Sequence, residues 1–127
     1  MLETLSVTRM AAALADHAAT RIDLIARNVA QADTPGYKAM DLPDFSQVYE
    51  NSAEGGMRAT RPGHFTSEMT ASRPEGVPSK GEASPDGNTV SIAREMVKSA
   101  SVRQEHEMAL AIYGNARDIL RASLGRR

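Results

Sequence analysis

A chain of 127 residues and 13.6 kDa, with a formal net charge of −1, 41% hydrophobic residues and 4% aromatics, holds one domain at most and a thin stock of large apolar anchors. The near-neutral balance excludes a nucleic-acid footprint spread over the whole chain, and the lack of cysteine excludes disulfides, thiol chemistry and thiolate metal sites. No segment has the uninterrupted apolar length of a membrane span, and the N-terminus lacks the basic-then-apolar layout of a secretory signal, so the plain reading is cytoplasmic.

The first predicted element is a long helix. From Val7, apolar or small residues recur at Ala11, Leu14, Ala18, Ile22, Ile25, Val29 and Ala32, in steps of three and four that hold one stripe. The two consecutive four-residue steps around Ala18 depart from a strict heptad and predict that any supercoil relaxes there. Thr34-Pro35-Gly36-Tyr37 follows with the chemistry of a type II turn: Pro fixes φ at the second position and Gly supplies positive φ at the third. Because the residue before a proline is pushed out of the α region, the helix must stop near Ala32 or Asp33.

The run Asn28-Val29-Ala30-Gln31-Ala32-Asp33-Thr34-Pro35-Gly36-Tyr37-Lys38-Ala39 resembles the N-I-A-N-A-x-T-P-G-Y-K-A signature of the bacterial flagellar rod and hook proteins. Asp41 and Phe45, with the later Asp86-Gly87-Asn88-Thr89-Val90 and Arg94-Glu95-Met96, resemble the proximal-rod branch of that family. Gln31 stands where the pattern has Asn, and Met40 where a charged residue is common. The resemblance implies a structural subunit of the proximal rod, which transmits motor torque and encloses the export channel. It also implies export by the flagellar type III apparatus without a cleaved signal peptide, and a place in the basal body within the periplasmic space. The partners implied are further copies of the chain, the rod subunits FlgC and FlgF, the FliE adaptor and the FliF ring.

Residues 34–90 form the irregular middle of a single rod-type domain whose helices span 1–33 and 91–124. Between Lys38 and Ser91 lie five of the six prolines and six of the nine glycines, too much punctuation for a long helix or a central strand. Pro43 suits the first turn of a short helix with Phe45, Val48 and Tyr49 on one face, and a short strand pair has room around Met57 to Met69. This middle is acidic, five basic against nine acidic groups over 33–88, whereas the chain from Thr89 onward carries seven basic and four acidic groups.

Pro85-Asp86-Gly87-Asn88 reads as a second turn, and Ser91 as the N-cap of a helix from Ile92 to about Leu124. Its apolar residues change face. Ile92, Ala93, Met96, Val97 and Ala100 cluster first; Met108, Ala109, Ile112, Tyr113, Ala116, Ile119 and Leu120 cluster elsewhere, with a polar belt of Ser101 and 103–107 between. One helix with two apolar faces calls for two neighbours.

No residue pattern points to chemistry. His17, His64 and His106 fall in different elements at no metal-ligand spacing, and His17 is expected to be a packed or surface residue. Asp33, Asp41 and Asp44 read as caps and solvated loop acids, and no nucleophile elbow or phosphate loop is present. Met10, Met96 and Met108 read as core filling. No cofactor is expected and the chain is not expected to be an enzyme. The fold expected is all-α, two long terminal helices paired as a coiled-coil-like hairpin. Assembly contacts are expected at Asn28, Val29, Ala32, Asp33, Thr34, Pro35, Gly36, Tyr37 and Lys38, where Asn28 caps or reaches a neighbouring subunit and Tyr37 keeps its hydroxyl wet. Others are expected along the helix stripes at Leu14, Ile22, Ile25, Met96, Val97, Met108, Ile112 and Ile119. The second reading is a cytoplasmic helical adaptor or export chaperone with the same hairpin; a small hydrolase using the loop acids comes third.

Overall fold

The computed structural model describes residues 2–54 and 75–125. Helix α1 runs Leu2–Ala30, strand β1 is Met40–Asp41, helix α2 is Phe45–Glu54, strand β2 is Val77–Pro78, and helix α3 runs Ile92–Ser123. Neither Gly nor Pro interrupts α1, and its eight alanines favour the helix. It stops at Ala30, where the Gln31 N–H is shared between the Arg27 and Asn28 carbonyls and Pro35 lies ahead.

The two long helices pack against each other over much of their length. They run antiparallel, since Asn28 near the end of α1 meets Glu95 near the start of α3, and farther from the turn Ala18, Ile22 and Ile25 gather around Val102. The buried positions form a seam of seven-residue steps: Ala11, Ala18 and Ile25 on α1; Glu95, Val102, Ala109 and Ala116 on α3. This is the left-handed coiled-coil period with alanine at four of its seven positions, which keeps the helices close but buries little area per residue.

The seam passes through the fully buried Ala18 in seven-residue steps from Ala11 to Ile25. Three expectations change here. Val7 and Val29, placed on the stripe by their spacing, are exposed, while Leu14, Ile22 and Ala32 are half-buried; the seam is narrower than the apolar pattern. On α3 neither apolar cluster forms the packed face as a whole. Met96 and Val97 are 66% and 71% exposed, Met108, Ile112, Tyr113 and Ile119 are also exposed, and the belt read as polar contains Val102, which is completely buried. Met10 is likewise exposed, so none of Met10, Met96 and Met108 fills the core.

Met40 pairs with Pro78 and Asp41 with Val77 in an antiparallel bridge that closes the base of the excursion between β1 and β2. The strand pair predicted around Met57 to Met69 falls outside the described residues. Pro43 does not enter the first turn of α2; Asp44 holds the cap position, its carbonyl accepting from Gln47 and Val48 N–H. The Pro43 carbonyl accepts instead from His17 Nε2 at 2.9 Å. His17 is buried, edge-on to Phe45 with centroids 5.7 Å apart, and Phe45 lies 5.4 Å from Tyr49 one turn on. Ser91 occupies the N-cap of α3 in an extended conformation, but its side chain makes no capping bond.

Candidate functional site

At the closed end of the hairpin the two turns read from the sequence meet. The Thr34 carbonyl accepts from Tyr37 N–H at 3.3 Å and Gly36 has φ +74°, the type II arrangement that only glycine adopts without strain. In the second turn, Gly87 N–H bonds the Ser84 carbonyl and Ser84 N–H the Asn88 carbonyl, with Gly87 at φ +81°. This pairing is that of a three-residue hairpin loop with a glycine bulge. Gly36 N–H donates to the Asp86 carbonyl at 3.0 Å, and a Cβ on Gly87 would sit 3.6 Å from the Gly36 Cα. Thr89 N–H bonds the Tyr37 carbonyl, Ala39 N–H bonds Thr89 Oγ1, and Lys38 Nζ reaches the Gly87 carbonyl at 3.0 Å. Two short motifs separated by some fifty residues therefore form one interlocked unit.

Two buried asparagines hold that unit to the helices. Asn28 is 0% exposed and uses its whole bonding capacity. Its Nδ2 donates to the Met40 carbonyl at 2.7 Å and to Glu95 Oε2 at 3.0 Å; its Oδ1 accepts from Met40 N–H at 3.0 Å and the Tyr37 hydroxyl at 3.4 Å. The expectation that Asn28 reaches a neighbouring subunit is thereby corrected, as no donor or acceptor of its side chain is left over. The hydroxyl of the half-buried Tyr37 donates to that same amide. Asn88, 1% exposed, aims Nδ2 at the carbonyls of Gln31, Ala32 and Thr34, at 3.0, 2.8 and 2.9 Å.

Beside Asn28 runs a chain of ionic groups. Glu95, 2% exposed, takes Lys98 Nζ on Oε1 at 3.2 Å; Lys98 reaches Asp41 Oδ2 at 2.9 Å; and Asp41 Oδ1 accepts from Arg21 Nε at 2.8 Å. Burial alone pushes the Asp41 carboxyl up, but the bonds from Arg21 and Lys98 outweigh it and hold it below its ordinary value of 3.8. Burial likewise draws Lys98 down, and its bonds to Asp41 and Glu95 more than restore it, so it is raised; Arg21 is raised chiefly by its hydrogen bond to Asp41. Asp41 is thus no solvated loop acid but the junction of α1, β1 and α3.

The other residues of the signature face outward. Asp33, Thr34, Pro35, Gly36 and Lys38 are exposed, and Thr34 Oγ1 bonds Gln31 Oε1 at 2.6 Å. Ile22 and Ile25 pack in the intrachain cluster around Val102 and Leu14 is half-buried, while Val29 and the α3 set Met96, Val97, Met108, Ile112 and Ile119 stay exposed. What sequence reasoning missed are the polar seam residues, Glu95 above all. Its only signal is a seven-residue step ahead of Val102.

Comparison with known proteins decides the family. A flagellar basal body rod protein FlgB from Cereibacter sphaeroides is 35% identical over 95 residues, which cover 73% of each chain. The chain belongs to the FlgB family of flagellar basal body rod proteins. The FlgB of Salmonella typhimurium is 31% identical over 111 residues, 76% of this chain and 77% of that one, and the FlgB of Agrobacterium fabrum 28% over 112 residues, 84% of each. No family model matches the chain. Among the described residues no helix is long and apolar enough to cross a membrane.

Proposed function

We propose that this chain is a structural subunit of the proximal rod, built in by lateral packing of its long helices, so that the assembled rod carries motor torque and encloses the export channel. The observation that supports it is the unpaired side of α3. At about 100° per residue, Ile112 and Ile119 lie about 60° round the helix from the seam residues Ala109 and Ala116, Met108 about 100° round from Ala109, and Val97 farther round on the same side, and all four are exposed. One face serves the hairpin, and the flank beside it offers an apolar stripe to another subunit. The exposed rim of the Thr34–Lys38 turn, with Asp33 beside it, supplies a second contact. The neighbours are other copies and other rod subunits, FlgC and FlgF among them, with FliE and the FliF ring beneath.

Replacing Pro35 with Gly together with Tyr37 with Ala tests the reading. Helical circular dichroism should stay close to wild type while recovery of the chain in purified basal bodies falls at least tenfold. Unchanged recovery overturns the role of the turn. Recovery of the wild-type chain only in the cytoplasmic fraction overturns the rod assignment in favour of an adaptor.

A further inference from the structure

We propose that Asn88 is a positioning residue that folds the Thr34–Tyr37 turn from a distance, so that the exposed signature surface forms only when the chain from Asp86 onward has docked. The α1 C-terminus and the turn that follows bring the carbonyls of Gln31, Ala32 and Thr34 to converge on one point, the negative end of a long helix dipole. The side chain that meets them there belongs to a residue only 1% exposed. A single amide Nδ2 meets all three within 3.0 Å, and the Asn88 Oδ1 is engaged by Val90 N–H at 2.7 Å, which fixes the amide's orientation. The backbone adds to the same coupling, since the Gly36 N–H is satisfied by the Asp86 carbonyl. Within residues 31–36, the Gln31 and Thr34 carbonyls also accept the local N–H groups of Thr34 and Tyr37, but the side-chain bonds to all three carbonyls and the partner of the Gly36 N–H come from a segment some fifty residues downstream. An N-terminal helix whose C-terminal partner has not paired would lack this turn, and would not present the surface on which assembly is proposed to depend.

The inference rests on that reading for its consequence but not for its geometry, and the two are tested apart. In the isolated full-length chain, amide exchange of Gly36 and Tyr37 reports the turn, while amides of 18–25 and 102–109 report the seam. Asn88→Ala should accelerate exchange at Gly36 and Tyr37 at least tenfold and leave the seam amides within about twofold. Asn88→Asp gives the sharper readout. Its carboxylate would face three carbonyls and repel them, so turn protection should be lost at pH 7 and recover as the pH falls and the carboxyl gains a proton to donate, whereas the wild type shows no such recovery. Unchanged Gly36 and Tyr37 protection in both variants overturns the proposal, as does equal loss of protection at the seam, which would make Asn88 a general stability residue. Normal protection of the turn in Asn88→Ala with failed incorporation also counts against it. A disordered turn with normal incorporation leaves the positioning role standing and removes the turn from the assembly surface.

Discussion

At the scale of single residues, the informative positions are the buried polar ones, because each must be answered by a partner inside the chain. Asn28→Ala would leave the Met40 N–H and carbonyl without their partner and take one donor from the Glu95 carboxylate, costing about 2–4 kcal/mol in chemical denaturation. Val29→Ala, one residue on but exposed, should stay within about 0.5 kcal/mol. Asp41 makes stability depend on pH in a definite sense. Its carboxyl is held below 3.8 in the folded chain, so the unfolded chain takes the proton first. The contribution is complete above 3.8 and is lost as the pH falls from there through the lower folded value. Asp41→Asn should flatten that acid limb of the stability profile measured by urea titration between pH 5 and 2.

At the scale of elements, the seam owes its tightness to alanine. Ala18 and Ala109 are both 0% exposed, so a leucine at either position has to push the helices apart or leave its rotamer. Ala109→Leu should cost about 1–3 kcal/mol, read as a lower thermal midpoint. Met108→Ser, at the adjoining residue but 52% exposed, should leave the isolated chain's midpoint nearly unchanged while reducing incorporation into basal bodies. That contrast separates the intrachain face of α3 from its outward one. Gly81 marks another tight contact: a Cβ there would lie 2.9 Å from the Thr89 carbonyl oxygen, so Gly81→Ala must displace the segment leading into the second turn.

At the scale of the whole molecule, a two-helix hairpin with an alanine-rich seam and no tryptophan buries little area, so the isolated chain is expected to be marginal. Its thermal unfolding should be broad, and covering the exposed α3 stripe in an assembly should sharpen and raise it, since anything that binds only the folded form stabilises it by mass action. A sharp, high transition for the lone chain in calorimetry would contradict this. Such a balance is compatible with export of an unfolded chain and rigidity after assembly.

Local chemistry was enough to read the two long helices, the turn at Pro35-Gly36 and the turn at Asp86-Gly87, because periodicity, proline and glycine act within a few residues of themselves; the family was legible only through the resemblance of the Asn28–Ala39 run to a known signature. The width and composition of the seam were not legible in the same way. Hydrophobic spacing marked Val29 and Met96 as contact residues, yet the close approach set by the alanines leaves them outside, and it encloses Asn28 and Glu95, which no scale of hydrophobicity would bury. Nor does either turn alone disclose that Asn88 answers the carbonyls at the end of α1. Only the antiparallel packing brings those groups within 3 Å, and hydrogen bonds of that kind exist only after the chain has closed on itself.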